Sequence, residues 1–214
     1  KKLREVDGDS TDAYGRHKED AAERSKAKSA SERDIGPIPA IANLERRLAC
    51  RASIRLFCET YNPANFYWRW GPAQLGAINR IEQAAKLGAL YAFAMPRGSG
   101  KTVITRMACL WALAYSWRFY VFGIAATNPK AIQTLEAVKI YMRALPDFVA
   151  DFPEITYPIG RVGNIAQRAS GQLCQGKETS IRWSGDRLIL PTVPPPANWP
   201  KDWPLRKDGM VPTS

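Results

Sequence analysis

The chain carries one histidine, His17, and four cysteines (Cys50, Cys58, Cys109, Cys174), none in C-x-x-C spacing. Zinc needs such ligands grouped, so a zinc site is not expected, and the scattered thiols suit a reducing compartment. Cys109 reads as a small buried thiol rather than a reactive one. No apolar run approaches the roughly 18 residues of a membrane span, so no membrane partner is expected. No signal peptide is visible and the first residue is not Met, so the chain is expected to be a piece of something longer. Also missing is an apolar strand ending in two acids, the element that holds Mg²⁺ through water and polarises an attacking water. Asp147, Asp151, Glu154 and Asp186 follow no four-residue apolar strand, and Asp202 and Asp208 sit among prolines and lysines. Nor is there a carboxylate cluster for a two-metal nuclease. These absences exclude a complete hydrolytic centre within this stretch.

What is present is basic charge and enough apolar residues for a core. Of 214 residues 45% are hydrophobic, and Lys+Arg exceed Asp+Glu by 31 to 20. The first 40 residues hold nine of each sign, so the whole excess of +11 lies in 41–214. A basic body with a neutral tail suits a polyanion, nucleic acid first among them; ordinary solubilising charge is the alternative.

Residues 1–34 have almost no large apolar side chain, and Val6 and Tyr14 cannot build a core. A flexible charged arm is expected there, closed by an Ile35–Pro39 linker. Asn43 to Tyr61 reads as one helix capped by Asn43, with Arg46, Arg47, Arg51 and Arg55 either meeting phosphates or facing water. The cluster Phe66–Trp70 precedes Gly71-Pro72. A helix with Leu75, Ile78, Ile81 and Ala85 on one face follows, ending at Gly88. Leu90–Ala94 and Phe119–Ala126 read as buried strands. A helix rich in Val103, Ile104, Met107, Leu110 and Trp111 lies between them, and another bearing Ile132, Leu135, Val138 and Met142 comes after. Strand, helix, strand, helix predicts an α/β fold with a parallel sheet and flanking helices. Beyond Asp147 the periodicity fades: Asp151–Pro153 and Tyr157-Pro158 read as extended, and Gly160–Gly176 as a loop offering Arg161 and Arg168. Ser180–Trp183 and Arg187–Leu190 flank a hairpin turn. The reading divides the chain into an arm (1–40), a core (41–193) and a Pro/Trp-rich irregular tail (194–214).

Between the first strand and its helix stands Met95-Pro96-Arg97-Gly98-Ser99-Gly100-Lys101-Thr102. This is the second half of a P-loop, G-x-x-x-x-G-K-[ST], with Met95 where the first glycine belongs. Backbone N–H groups from Gly98 to Thr102 can surround a β-phosphate of ATP, Lys101 can place a charge between the β- and γ-phosphates, and Thr102 can offer a hydroxyl to Mg²⁺. Arg97 can stabilise charge on the γ-phosphate or simply pair with a neighbouring loop. Gln74 is a candidate for reading adenine; the alternative is a solvent-facing helix residue. The chain is thus expected to bind ATP and to be incomplete for its turnover.

The loop A-M-P-R-G-S-G-K-T resembles that of phage and prophage terminase large subunits, the DNA-packaging motor ATPases. Arg33–Pro37, Phe57–Tyr61, Asp151–Glu154 and the Ser180–Pro191 hairpin look like the same family, so the resemblance spans roughly 33–193. It implies a RecA-like P-loop core, usually followed by a metal-dependent nuclease domain. It also implies work on double-stranded DNA in the bacterial host cytoplasm, with a portal protein, a small terminase subunit and, at full length, other copies of the chain as partners. By position, Lys101 and Thr102 become the phosphate and Mg²⁺ ligands, and Arg97 the loop arginine that triggers cleavage. The family's acidic pair and nuclease carboxylates have no counterpart before Ser214, which suggests an N-terminal fragment. A helicase-like ATPase, a small-molecule kinase and a non-catalytic nucleotide- or DNA-binding chain are the other readings.

Overall fold

The computed structural model describes residues 18, 24, 32–163 and 165–212; the expected charged arm lies mostly outside the described residues. Seven α-helices from residue 44 onward make up the body among the described residues: α1 (Leu44–Arg51), α2 (Ile54–Tyr61), α3 (Pro72–Leu87), α4 (Lys101–Ala114), α5 (Asn128–Ala144), α6 (Pro146–Asp151) and α7 (Pro153–Val162). Two antiparallel ribbons follow, β1 (Leu173–Cys174) with β2 (Lys177–Glu178) and β3 (Arg182–Trp183) with β4 (Leu188–Ile189).

This overturns the expected RecA-like core. No parallel sheet forms among the described residues. Leu90–Ala94 and Phe119–Ala126 are not strands, and they are not buried: Leu90 is 97% exposed, Phe122 71% and Ile124 84%. An apolar, β-prone run becomes a strand only when a neighbour accepts and donates its backbone hydrogen bonds. Here α4 packs against the helices α2, α3 and α5. Substituting Ile124→Lys is therefore expected to leave stability within about 0.5 kcal/mol, as at other exposed positions. The urea midpoint reads this out, and a loss of several kcal/mol would restore the buried strand.

Helix α4 is the centre of the core. Ile104, Met107, Leu110 and Trp111 are buried, and the Trp111 indole N–H donates to the Cys50 carbonyl at 3.2 Å. Around it Phe57, Tyr61, Phe148 and Phe152 interlock, with Phe148 stacked on Phe152 at 4.5 Å and Phe57 tilted on Tyr61 at 4.9 Å. Such aromatic pairs each contribute about 0.5–1.5 kcal/mol beyond area burial, and they fix α2 against α6 and α7.

Three sequence readings change with the local chemistry. The single helix over Asn43–Tyr61 is two helices. Asn43 caps the first as expected, accepting from the Arg46 N–H at 2.8 Å, but Ser53 turns extended and caps a second. Glu82 helps by accepting the Ile54 N–H at 2.6 Å. The segments read as extended beyond Asp147 are mostly helical: Phe152 alone is non-helical between α6 and α7, Pro146 and Pro153 open those helices, and Tyr157-Pro158 lies inside α7; a proline fits the first turn, whose N–H has no intrahelical acceptor anyway. The stretch read as a loop from Gly160 begins inside α7. Other readings match. Helix α3 starts at Pro72 and stops at Gly88, whose φ of 82° suits glycine, and the Ser184–Asp186 turn joins β3 to β4.

Residues 191–212 form no helix or strand, yet they lie back over the helices. Asn198 brackets Ile41, accepting its N–H at 2.8 Å and donating to its carbonyl at 2.9 Å. Val211 donates to the Val193 carbonyl at 2.9 Å, and the Ser116 hydroxyl donates to the Pro212 carbonyl. Trp199 and Trp203 lie against the Arg47 guanidinium, 5.2 and 4.6 Å from it.

Candidate phosphate-binding loop

Residues 95–102 form a turn that feeds directly into α4. Gly98 (φ 78°) and Gly100 (φ 76°) both take the left-handed conformation that a Cβ disfavours. Met95, where the common pattern has glycine, is not among the positive-φ residues. The turn is thus entered without a left-handed residue, which removes the need for glycine there. The Ser99 N–H donates to the Pro96 carbonyl at 3.4 Å, closing the bend.

Gly100 is the N-cap of α4, and no side chain caps that end. The N–H groups of Lys101, Thr102 and Val103 therefore fall outside the helix's own ladder, and the helix dipole leaves them partly positive. Lys101 folds back over the turn, its Nζ donating at 3.3 Å to the carbonyls of both Met95 and Pro96. Ser99 Oγ is shielded from solvent with no hydrogen-bond partner. Positive charge, N–H donors without intrahelical partners and an unused hydroxyl thus belong to one short turn, a set of groups that suits an oxyanion.

Lys101, Thr102, Arg97, Gly98 and Gly100 are exposed, and Ser99 and Gln74 half-buried. Arg97 forms no ion pair among the described residues. Its alternative role as a salt bridge to a neighbouring loop is thus not realised. Gln74 is placed differently from either expectation: its Oε1 accepts the Gly71 N–H at 2.9 Å and its Nε2 donates to the Ser99 carbonyl at 2.8 Å. Both ends of the amide are engaged, one at the start of α3 and one at the loop.

Beside that start lies a cleft of about 430 Å³, lined by Arg55, Glu59, the Phe66–Trp70 aromatics, Arg69 and Leu75. Phe66 stacks on Trp70 at 5.2 Å, and the Trp70 indole N–H donates to Glu59 at 2.6 Å. Tyr67 and Trp68 remain 70% and 75% exposed.

The arginines of the first helices were expected to meet phosphates or water, and two do neither. Arg47 is 1% exposed and grips Glu154 through two contacts, at 2.7 and 3.1 Å. Arg46 binds Asp151 at 2.6 Å and Asp147 at 2.8 Å. Asp151, fully buried, also accepts from the Asn43 N–H and the Tyr61 hydroxyl. The hydrogen bond from Arg46 to Asp151, more than any other cause, raises the guanidinium's proton affinity further. Burial raises the Tyr61 hydroxyl above its ordinary range. These acids are consumed by structure, and no sequence signal pointed to it, because the partners lie about a hundred positions apart.

Among the described residues no group of three His, Cys, Asp or Glu side chains is placed to hold a metal ion. Thr102, the expected Mg²⁺ ligand, is exposed in the first turn of α4. The four cysteines are free, and burial pushes the Cys174 thiol up to about 11. No helix among the described residues is long and apolar enough to cross a membrane. Comparison with known protein families, with curated proteins and with solved structures returned no match in any of the three.

Proposed function

We propose that the 95–102 turn binds the phosphates of ATP, and that the chain is the ATP-binding part of a phage terminase large subunit. The observation that carries the first part is the uncapped N-terminus of α4, opened by two left-handed glycines with Lys101 folded across it. In this reading the N–H groups of Gly98 to Thr102 cradle the β-phosphate. Lys101 leaves its two carbonyl acceptors for the β- and γ-phosphates, and the Ser99 hydroxyl gains the acceptor it lacks. Thr102 would hold Mg²⁺, whose chemistry is to neutralise charge spread over the β- and γ-oxygens. Arg97, exposed and unpaired, is free to swing onto the γ-phosphate.

The second part rests on Arg97 preceding the glycines, on the outlying segments of similar sequence, and on the basic excess in 41–214, which suits double-stranded DNA. A portal protein, a small terminase subunit and further copies of the chain are the partners this implies, in the cytoplasm of a bacterial host. It does not rest on a RecA-like sheet. A second reading, nucleotide binding without turnover, is favoured by one observation: Asp151 and Glu154 are tied up in buried ion pairs rather than turned to the loop.

Calorimetric titration with ATP and AMP in the presence of Mg²⁺ tests the site. ATP is expected to bind at least about tenfold more tightly, since one tenfold step is 1.4 kcal/mol and each charge-assisted hydrogen bond to the outer phosphates is worth about that or more. Equal affinity for the two would place recognition elsewhere than on the phosphates.

A further inference from the structure

We propose that Gln74 is a positioning residue for the phosphate loop rather than a reader of the base, an inference that rests on the phosphate-binding reading above. The amide has one acceptor and one donor end, and each makes one hydrogen bond within the protein. Oε1 accepts the Gly71 N–H, which caps the start of α3, and Nε2 donates to the Ser99 carbonyl at the crest of the turn. The side chain lies over both glycines of this junction: a Cβ on Gly71 would stand 3.6 Å from Oε1, and one on Gly100 would stand 3.8 Å from Nε2.

The Ser99 carbonyl is the peptide oxygen between the two left-handed glycines, Gly98 and Gly100. Holding it fixes the orientation of the peptide group that joins Ser99 to Gly100. The N–H of that group points opposite to its carbonyl, so the same bond sets the direction of the Gly100 N–H. Without the tether the turn rests on the Ser99-to-Pro96 bond of 3.4 Å and the two 3.3 Å contacts of Lys101, all long for hydrogen bonds. Lys101 would also have to abandon those contacts to reach a phosphate. Among the described residues Gln74 is therefore the short side-chain tether of the turn that a bound phosphate would leave in place. The two bonds anchor the amide to the protein, and a nucleobase could reach only the second N–H and the second lone pair that remain.

The test uses the whole chain and three probes, Mg²⁺ with inorganic tripolyphosphate, ATP or GTP. It compares wild type with Gln74→Met, which keeps the length and loses both hydrogen bonds, and Gln74→Glu, which keeps the acceptor for Gly71 and loses the donor to Ser99. Both variants are expected to weaken all three probes by about the same factor, on the order of tenfold, with the thermal midpoint of Gln74→Glu near that of wild type. A loss confined to ATP, with tripolyphosphate unaffected, assigns Gln74 to the base and overturns the proposal. Unchanged binding of all three also overturns it, and so does loss of the fold in both variants, which would make the side chain a fold residue. Lys101→Ala separates the two levels. If wild type fails to bind tripolyphosphate, or Lys101→Ala binds it equally well, the phosphate reading itself falls and takes this inference with it. If Lys101→Ala loses binding while the Gln74 variants keep it, only the positioning role falls.

Discussion

Substituting Glu154→Ala is expected to cost about 3–5 kcal/mol of stability, the largest single effect available on the surface of α7 that meets α1. Arg47 is buried to 1% exposure, and its two terminal nitrogens meet the Glu154 carboxylate at 2.7 and 3.1 Å. What would remain for the cation is the Asp151 carbonyl at 2.9 Å and the faces of Phe152, Trp203 and Trp199 at 4.3, 4.6 and 5.2 Å. Rings attract a cation by about 2 kcal/mol when desolvated, which is too little to replace a carboxylate against the several kcal/mol of lost hydration. Arg47 Nε is already without a partner, so the site has no reserve of acceptors. A double variant, Arg47→Met with Glu154→Leu, removes both charges and is expected to fall within about 1–2 kcal/mol of wild type, on either side. Urea unfolding with an unchanged slope measures both. A Glu154→Ala loss under 1 kcal/mol would mean that water reaches Arg47 and that the tail tryptophans do not seal it.

That ion pair also marks where sequence reading fails. Features specified by neighbours along the chain were legible: Asn43 as a cap, Gly88 as a stop, the Ser184–Asp186 hairpin, and the apolar face of α4. Features specified by a distant partner were not. Arg46 and Arg47 look like any basic helix face until Asp151 and Glu154, more than a hundred residues on, are brought against them. Pro153 was read as part of an extended stretch because proline ends a helix as readily as it opens one, and the sequence around it does not decide between the two. The strand readings at Leu90–Ala94 and Phe119–Ala126 failed for the opposite reason. Composition alone suggested burial, but burial needs a covering element, and α4 found helices instead. The 95–102 turn itself was legible, because its shape is set by consecutive residues: two glycines at positive φ and a helix that opens directly after Gly100. Its tether to Gln74, 25 positions earlier, was not.

Lys101→Ala is expected to weaken ATP binding by about ten- to a hundredfold while leaving the fold intact. The first half follows from charge: a hydrogen bond to a charged phosphate contributes about 1.5–3 kcal/mol, and each 1.4 kcal/mol is tenfold. Because Lys101 is exposed, part of that attraction is screened, so the difference between wild type and variant should shrink as salt is raised toward 1 M, where the Debye length is about 3 Å. The second half follows from what Lys101 does without ligand. Its two contacts to the Met95 and Pro96 carbonyls, at 3.3 Å, are long and open to water, so their loss should move the urea midpoint by no more than about 0.5 kcal/mol. Alanine is also a strong helix former at the first position of α4. Lys101→Arg is expected to restore charge but not affinity, because a planar fork cannot occupy the space a compact ammonium takes between two phosphates. A variant that binds ATP poorly and also unfolds would make Lys101 a structural residue. One that binds ATP as wild type does would remove the charge at the mouth of α4 from the site, and leave its backbone N–H groups to hold the phosphates alone.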